Sequence, residues 1–159
     1  MSEVLRIAGL CDALCEKHGT RNPFELAEAE KIHLLSCPGF HSLKGMYKVI
    51  LDQRFIFLNG NLKRREARQV LAHELGHDAL HREMARDSVV QDHFILDMRL
   101  KPEYEANLFA AQLLAEDEGT LEILKSGASL EDAAASLGVA KDLLRLKSLI
   151  LREKGLLPS

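Results

Sequence analysis

His73, Glu74 and His77 are the residues of this chain best placed to do chemistry, in the run His73-Glu74-Leu75-Gly76-His77. Residues four apart on an α-helix share one face, one turn apart. Two imidazoles at that spacing can bind one metal ion, and a carboxylate between them can face a water held there. The set reads as a zinc site with its own general base, suited to metal-assisted hydrolysis. The competing reading is a chance match on a solvated helix. The flanks weigh against it. Val70, Leu71 and Ala72 lead in, and Leu75, Ala79 and Leu80 continue an apolar stripe, so both histidines fall on or beside the core-facing side.

Such a site needs a third protein ligand, with the fourth position left open. Downstream, Pro102 suits a first helical turn, and Ala106, Phe109, Ala110, Leu113 and Leu114 form an apolar stripe behind it. Glu103 lies at the N-terminal end of that helix. Alone it would be read as a carboxylate favouring the helix dipole. Together with His73 and His77 it reads as the third ligand. Glu105 competes, being two residues away. Glu103 is preferred because Asn107, one turn on, can hold a histidine in place.

The elements that must carry these residues are legible in outline. Ser2 caps a helix running to about Lys17, ended by Gly19. Asn22-Pro23 opens a short helix through Glu30. Ile32–Leu35 is a short strand, broken by Pro38-Gly39. Gly45–Leu51 and Arg54–Leu58 are β-prone runs that read as a hairpin turning at Asp52-Gln53. Asn59-Gly60-Asn61 turns into one long helix, from about Lys63 to Glu83, that carries the paired histidines. His81 then lies one turn beyond His77, so that three histidines line one helix face. A metzincin-type third histidine would fall at Glu83 with a glycine at Leu80, which excludes that class.

The two runs His73-Glu74-Leu75-Gly76-His77 and Glu103-x-Glu105-Ala106-Asn107-x-Phe109-Ala110-Ala111-x-Leu113-Leu114 together resemble the ImmA/IrrE family of metallopeptidases, over roughly residues 20 to 115. The resemblance implies an α+β, zincin-like fold: a small β-sheet, an active-site helix and a ligand helix. It implies a zinc endopeptidase with a glutamate as third ligand and a helix-turn-helix repressor as substrate, cleaved to relieve repression of a mobile element or a stress response. Where the family usually continues Leu-Leu with Met-Pro, this chain has Ala115-Glu116. The mechanism expected is amide hydrolysis with Zn2+ held by His73, His77 and Glu103 and with Glu74 as proton carrier. Tyr104, His81 and His93 are unranked candidates for a second donor to the oxyanion. The competing class is a catalytically silent protein of the same fold that binds a repressor or DNA without cleavage.

Composition narrows the classes further. With 159 residues, the chain suits one domain with a small appendage: residues 1–116 as the peptidase-like part and 117–159 as a helical C-terminal segment. That segment resembles a helix-turn-helix unit, with helices over about 119–126, 130–137 and 140–154. Lys141, Arg145, Lys147, Arg152 and Lys154 supply positive charge, yet residues 117–159 hold six basic and seven acidic residues, net −1, and the whole chain carries −3. DNA binding is disfavoured on that balance, and a helical appendage that packs on the core or contacts a protein is favoured. No run has the length of a membrane span, and Met1–Glu16 lacks the pattern of a signal peptide. Three cysteines, Cys11, Cys15 and Cys37, suit a reducing cytoplasm, with Cys11 and Cys15 read as buried thiols. His18, His33 and His41 are scattered and read as locally bonded or solvated.

Overall fold

The computed structural model describes residues 1–87, 90–92 and 100–159. Its elements are α1 (Glu3–His18), α2 (Pro23–Ala29), β1 (His33–Cys37), β2 (Gly45–Ile50), β3 (Gln53–Asn59), α3 (Arg64–Leu80), α4 (Arg82–Asp87), β4 (Val90–Asp92), α5 (Lys101–Leu114), α6 (Asp117–Lys125), α7 (Leu130–Leu137) and α8 (Lys141–Glu153). The caps follow the local chemistry. The Ser2 hydroxyl accepts from the Leu5 amide, Asn22 accepts from Phe24 and Glu25, and Ser129 accepts from Asp132. Gly19 and Gly138 end α1 and α7 in the left-handed conformation, at φ of 68° and 72°.

The strands form one mixed sheet in the order β1-β3-β2-β4. β2 and β3 make the expected antiparallel hairpin. Its two turn residues are Leu51 and Asp52, one position earlier than the sequence suggests, and both have positive φ, 50° and 61°. That pair of left-handed residues matches the twist of a two-residue hairpin. β1 pairs with β3 in parallel and β4 pairs with β2 antiparallel. Neither pairing was expected, because partners so distant leave no local pattern.

The long helix expected to Glu83 stops at Leu80. His81 leaves the helical region at φ −129° and ψ 30°, and α4 starts afresh at Arg82. Nothing in the sequence here breaks a helix. The break goes with long-range bonds of the residues around it. Asp78 accepts from Tyr47 of β2 at 2.5 Å and from Arg54 of β3 at 2.8 Å, and His81 turns its ring toward α5.

From sheet to far side the layers are the sheet, α3, α5, and then α1 with α8. α5 is therefore enclosed on opposite sides, and every residue from Glu105 to Leu114 is buried. A one-sided apolar stripe is a poor description of it. A helix hydrophobic nearly all round belongs in a core, and its three polar residues there, Glu105, Asn107 and Gln112, hydrogen-bond to side chains outside the helix.

α3 and α5 cross at Gly76. A Cβ there would stand 2.9 Å from both the Cα and the carbonyl oxygen of Ala106, and 3.1 Å from Cβ of Phe109. The glycine is thus what lets α5 come close enough to bring its first turn over the histidines. Gly76→Ala is expected to force the helices apart, lowering stability by about 1–3 kcal/mol as overpacked cores do. Chemical denaturation measures this, and a variant as stable as the parent would show that the crossing is looser than described.

The C-terminal helices pack on the rest of the molecule. Leu143, Leu144 and Ile150 of α8 join one hydrophobic cluster with Ile7, Cys11 and Cys15 of α1 and Leu108 and Leu113 of α5. The turn between α7 and α8 is fastened to α3: Gln69 accepts from the Ala140 amide at 2.6 Å, and Arg65 donates to the Ala135 carbonyl at 3.0 Å. Lys147, counted above among the surface charges, is instead wholly buried. Its ammonium donates to Gln112 at 2.6 Å and to Asp117.

Asp117 also accepts from Lys154 at 2.6 Å. Burial pushes its carboxyl up, but the bonds from the two lysines outweigh that and hold it down, at about 2. Burial also pulls the Lys147 ammonium below its ordinary value, against the opposing pull of Asp117. A carboxyl depressed in the folded state contributes stability above its unfolded value, near 4, and loses it as pH falls through about 2. Stability should therefore drop between pH 4 and pH 2, and the drop should be shallower in Asp117→Asn. At pH 7 that variant should be less stable by about 1–3 kcal/mol. This is below the figure for a fully buried pair because Asp117 stays a third exposed. Urea titrations across this pH range measure both effects.

Candidate metal centre

His73 and His77 lie on the buried side of α3, and Glu103 lies in the first turn of α5, directly across the Gly76 crossing. The Glu103 carboxylate meets both rings: Oε2 is 2.8 Å from Nε2 of His73 and Oε1 is 3.2 Å from Nε2 of His77. One ligand atom from each of the three residues lies within 4.8 Å of the others. The two imidazoles stand nearly perpendicular, at 88°, with centroids 4.8 Å apart. Around a tetrahedral zinc ion the nitrogen and oxygen ligands stand about 3.4 Å from one another, given bonds of about 2.0–2.1 Å. The two spacings to Glu103 are tighter than that, so its carboxylate would move outward to admit an ion. The donor set, two imidazoles and a carboxylate, fits a divalent metal such as zinc.

Glu105 does not join them. Two residues along a helix is a rotation of about 200°, so Glu103 and Glu105 leave α5 on opposite sides. The Glu105 carboxylate meets His81 instead, Oε1 to Nε2 at 3.1 Å. Asn107 lies where one turn beyond Glu103 puts it. Its Oδ1 is 2.8 Å from Nδ1 of His73, a contact that makes Nδ1 the protonated nitrogen and leaves Nε2 to face Glu103.

Glu74 is fully buried on the side of α3 that faces the sheet. The start of β2 presses against it. A Cβ on Gly45 would stand 2.9 Å from Oε1 of Glu74 and 2.6 Å from Cγ1 of Val70. Gly45 thus makes the space that the carboxylate occupies, a role readable only once strand and helix are packed together. Gly76 had a local signal, a glycine inside a helical pattern, but its partner on α5 did not.

Of the three candidates for an oxyanion donor, His81 has both ring nitrogens engaged, Nδ1 with Nδ1 of His77 at 2.9 Å and Nε2 with Glu105. It stands on the side of His77 away from Glu103. Burial chiefly lowers its pKa, and the neighbouring His77 adds to this while Glu105 opposes. Tyr104 packs against the hydrophobic core beside Glu103. His93 lies outside the described residues.

The sequence profile described as the IrrE N-terminal-like domain matches residues 15–148, from within α1 to within α8. The chain belongs to the ImmA/IrrE family. Among curated proteins, this family member is similar to the Metallopeptidase ImmA of Bacillus subtilis (strain 168). The two are 33% identical over 131 residues, which is 80% of this chain and 75% of that protein. It is also similar to the Uncharacterized immunity region protein 2 of Bacillus phage phi105, at 34% identity over 136 residues, 86% of this chain and 85% of that one. The ImmA/IrrE assignment agrees with the α+β fold, a small mixed sheet with several helices, and supports a metallopeptidase-like function. Among the described residues no helix is long and apolar enough to cross a membrane.

Proposed function

We propose that this ImmA/IrrE family member is a zinc-dependent endopeptidase of zincin type. Its substrate is a helix-turn-helix repressor, whose cleavage relieves repression of a mobile element or a stress response. The observation that carries the reading is the convergence of His73 Nε2, His77 Nε2 and the Glu103 carboxylate beside a second, buried carboxylate, Glu74. The phage relative bears the name of an immunity region and the bacterial one that of a metallopeptidase, and both support the choice of substrate class and reaction. The cysteines are all free thiols, in keeping with a cytoplasmic setting.

In this reading His73, His77 and Glu103 hold the metal, and residues 1–116 carry the chemistry while 117–159 brace it. A bound zinc ion supplies a Lewis acid and a lowered pKa for water. The chain's own work is proton transfer and orientation. Glu74 takes a proton from the attacking water and passes it to the leaving amine. Asn107 keeps the His73 ring turned so that Nε2 faces inward. Packing of β2 against α3 keeps the carboxylate away from bulk solvent.

The test is incubation of the purified protein with the helix-turn-helix repressor encoded nearest its gene. Cleavage at one site, abolished by a chelator and restored by zinc, is the expected result. Stoichiometric binding without cleavage would replace the enzyme with the silent, repressor-binding alternative.

A further inference from the structure

We propose that Glu105 and His81 act as a positioning relay that sets the tautomer and ring orientation of His77, so that Nε2 of His77 presents a lone pair on the Glu103 side. The inference rests on the ligand reading above.

The geometry dictates the direction of the relay. Two ring nitrogens, Nδ1 of His77 and Nδ1 of His81, face each other at 2.9 Å. A hydrogen bond between them needs a proton on one and none on the other. The far nitrogen of His81 settles which. Its Nε2 lies 3.1 Å from Oε1 of Glu105, and an ionised carboxylate only accepts, so Nε2 carries the proton. A neutral imidazole has a single N–H. Nδ1 of His81 is then bare and accepts from Nδ1–H of His77, so that with a metal between His77 and Glu103 the lone pair of His77 is the one on Nε2. That is the nitrogen 3.2 Å from Glu103. The polarity starts at Glu105 on α5, crosses two rings and ends at the atom offered to the metal.

His81 caps α3, its amide donating to the His77 carbonyl at 2.7 Å, and its ring lies between His77 and Glu105. All three residues are at most 9% exposed, so water competes little for these bonds. The two histidines are thus set by different acceptors, His73 by the neutral amide of Asn107 and His77 by a carboxylate acting through a second imidazole. Glu103 and Glu105, on opposite sides of one helix, serve the same histidine from its two ends.

Zinc affinity measured by chelator competition tests the relay without any peptidase assay. His81→Leu, which fills the space but cannot accept, should weaken zinc binding about 10–100-fold, the usual cost of losing a residue that orients a ligand. His81→Asn, whose Oδ1 can accept from Nδ1–H of His77, should recover most of that. Glu105→Gln keeps an acceptor for His81 and should lose less than Glu105→Leu. A merely space-filling role predicts the reverse ranking, with His81→Leu at least as good as His81→Asn. Nitrogen NMR of the zinc-loaded wild type needs no variant. It should show His81 protonated on Nε2 and a coupling across the hydrogen bond from Nδ1 of His77 to Nδ1 of His81. A proton on Nδ1 of His81, or a His81→Leu protein that binds zinc as tightly as the wild type, overturns the relay alone. A wild type that takes up no zinc overturns the ligand reading and the relay with it.

Discussion

His77→Ala is expected to emerge from purification without zinc and to unfold at markedly lower temperature than the wild type. The side chain is fully buried and meets Glu103 on one nitrogen and His81 on the other. Its removal takes away one of three candidate ligands and opens a cavity at the crossing of α3 and α5. Two losses then add. The first is the binding free energy of the metal, about 4 kcal/mol where free zinc exceeds the dissociation constant 1,000-fold. The second is the cavity and the disrupted polar contacts, about 2–3 kcal/mol. Chelation of the wild type should reproduce the first loss and leave the second. Elemental analysis and thermal melts, with and without chelator, separate them. Glu103→Ala should resemble His77→Ala in metal content, and its zinc loss should exceed that of Glu105→Ala. Full zinc retention in either His77→Ala or Glu103→Ala would show that the metal sits elsewhere.

Glu74→Gln should do the opposite: keep the zinc and the fold, and lose the chemistry. Glutamine has the size of glutamate, so it fits the space that Gly45 leaves beside α3. What it lacks is the capacity to take a proton. Cleavage of the repressor under single-turnover conditions should slow by at least about 10²-fold, as removal of a general base does. Zinc content and melting temperature should stay close to those of the wild type. Equal cleavage by both proteins would assign the activity to a contaminant or to a mechanism without this base. Together the two substitutions separate holding the metal from using it, and a silent binding protein would respond to the first and not to the second.

The parts of the site that could be read from sequence are those set within one helical turn. His73, Glu74 and His77 announce themselves because a four-residue spacing fixes a shared face whatever else the chain does. Ser2, Asn22-Pro23 and Ser129 mark helix starts for the same reason, since a cap bonds an amide two or three residues away. Asn107 could be paired with a histidine because it follows Glu103 by one turn. The family resemblance reached further only because it joined two such local patterns, on α3 and on α5.

What local spacing could not supply is how one element meets another. Asn107 favours Glu103 over Glu105 in the sequence, but it is the crossing at Gly76 that turns one carboxylate toward Nε2 of His73 and His77 and the other toward His81. The helix ends at Leu80 although its sequence would continue it, where Asp78 bonds to Tyr47 and Arg54 of the sheet and His81 to Glu105 of α5. Lys147 reads as a surface cation until α8 packs on α5 and seals it against Gln112 and Asp117. β1 and β4 find partners that no neighbouring residue predicts. In each case the energy that decides comes from burial and hydrogen bonds between segments tens of residues apart. It exists only when the chain has closed on itself, and it outweighs the few tenths of a kcal/mol, about, by which local preference favours one conformation over another.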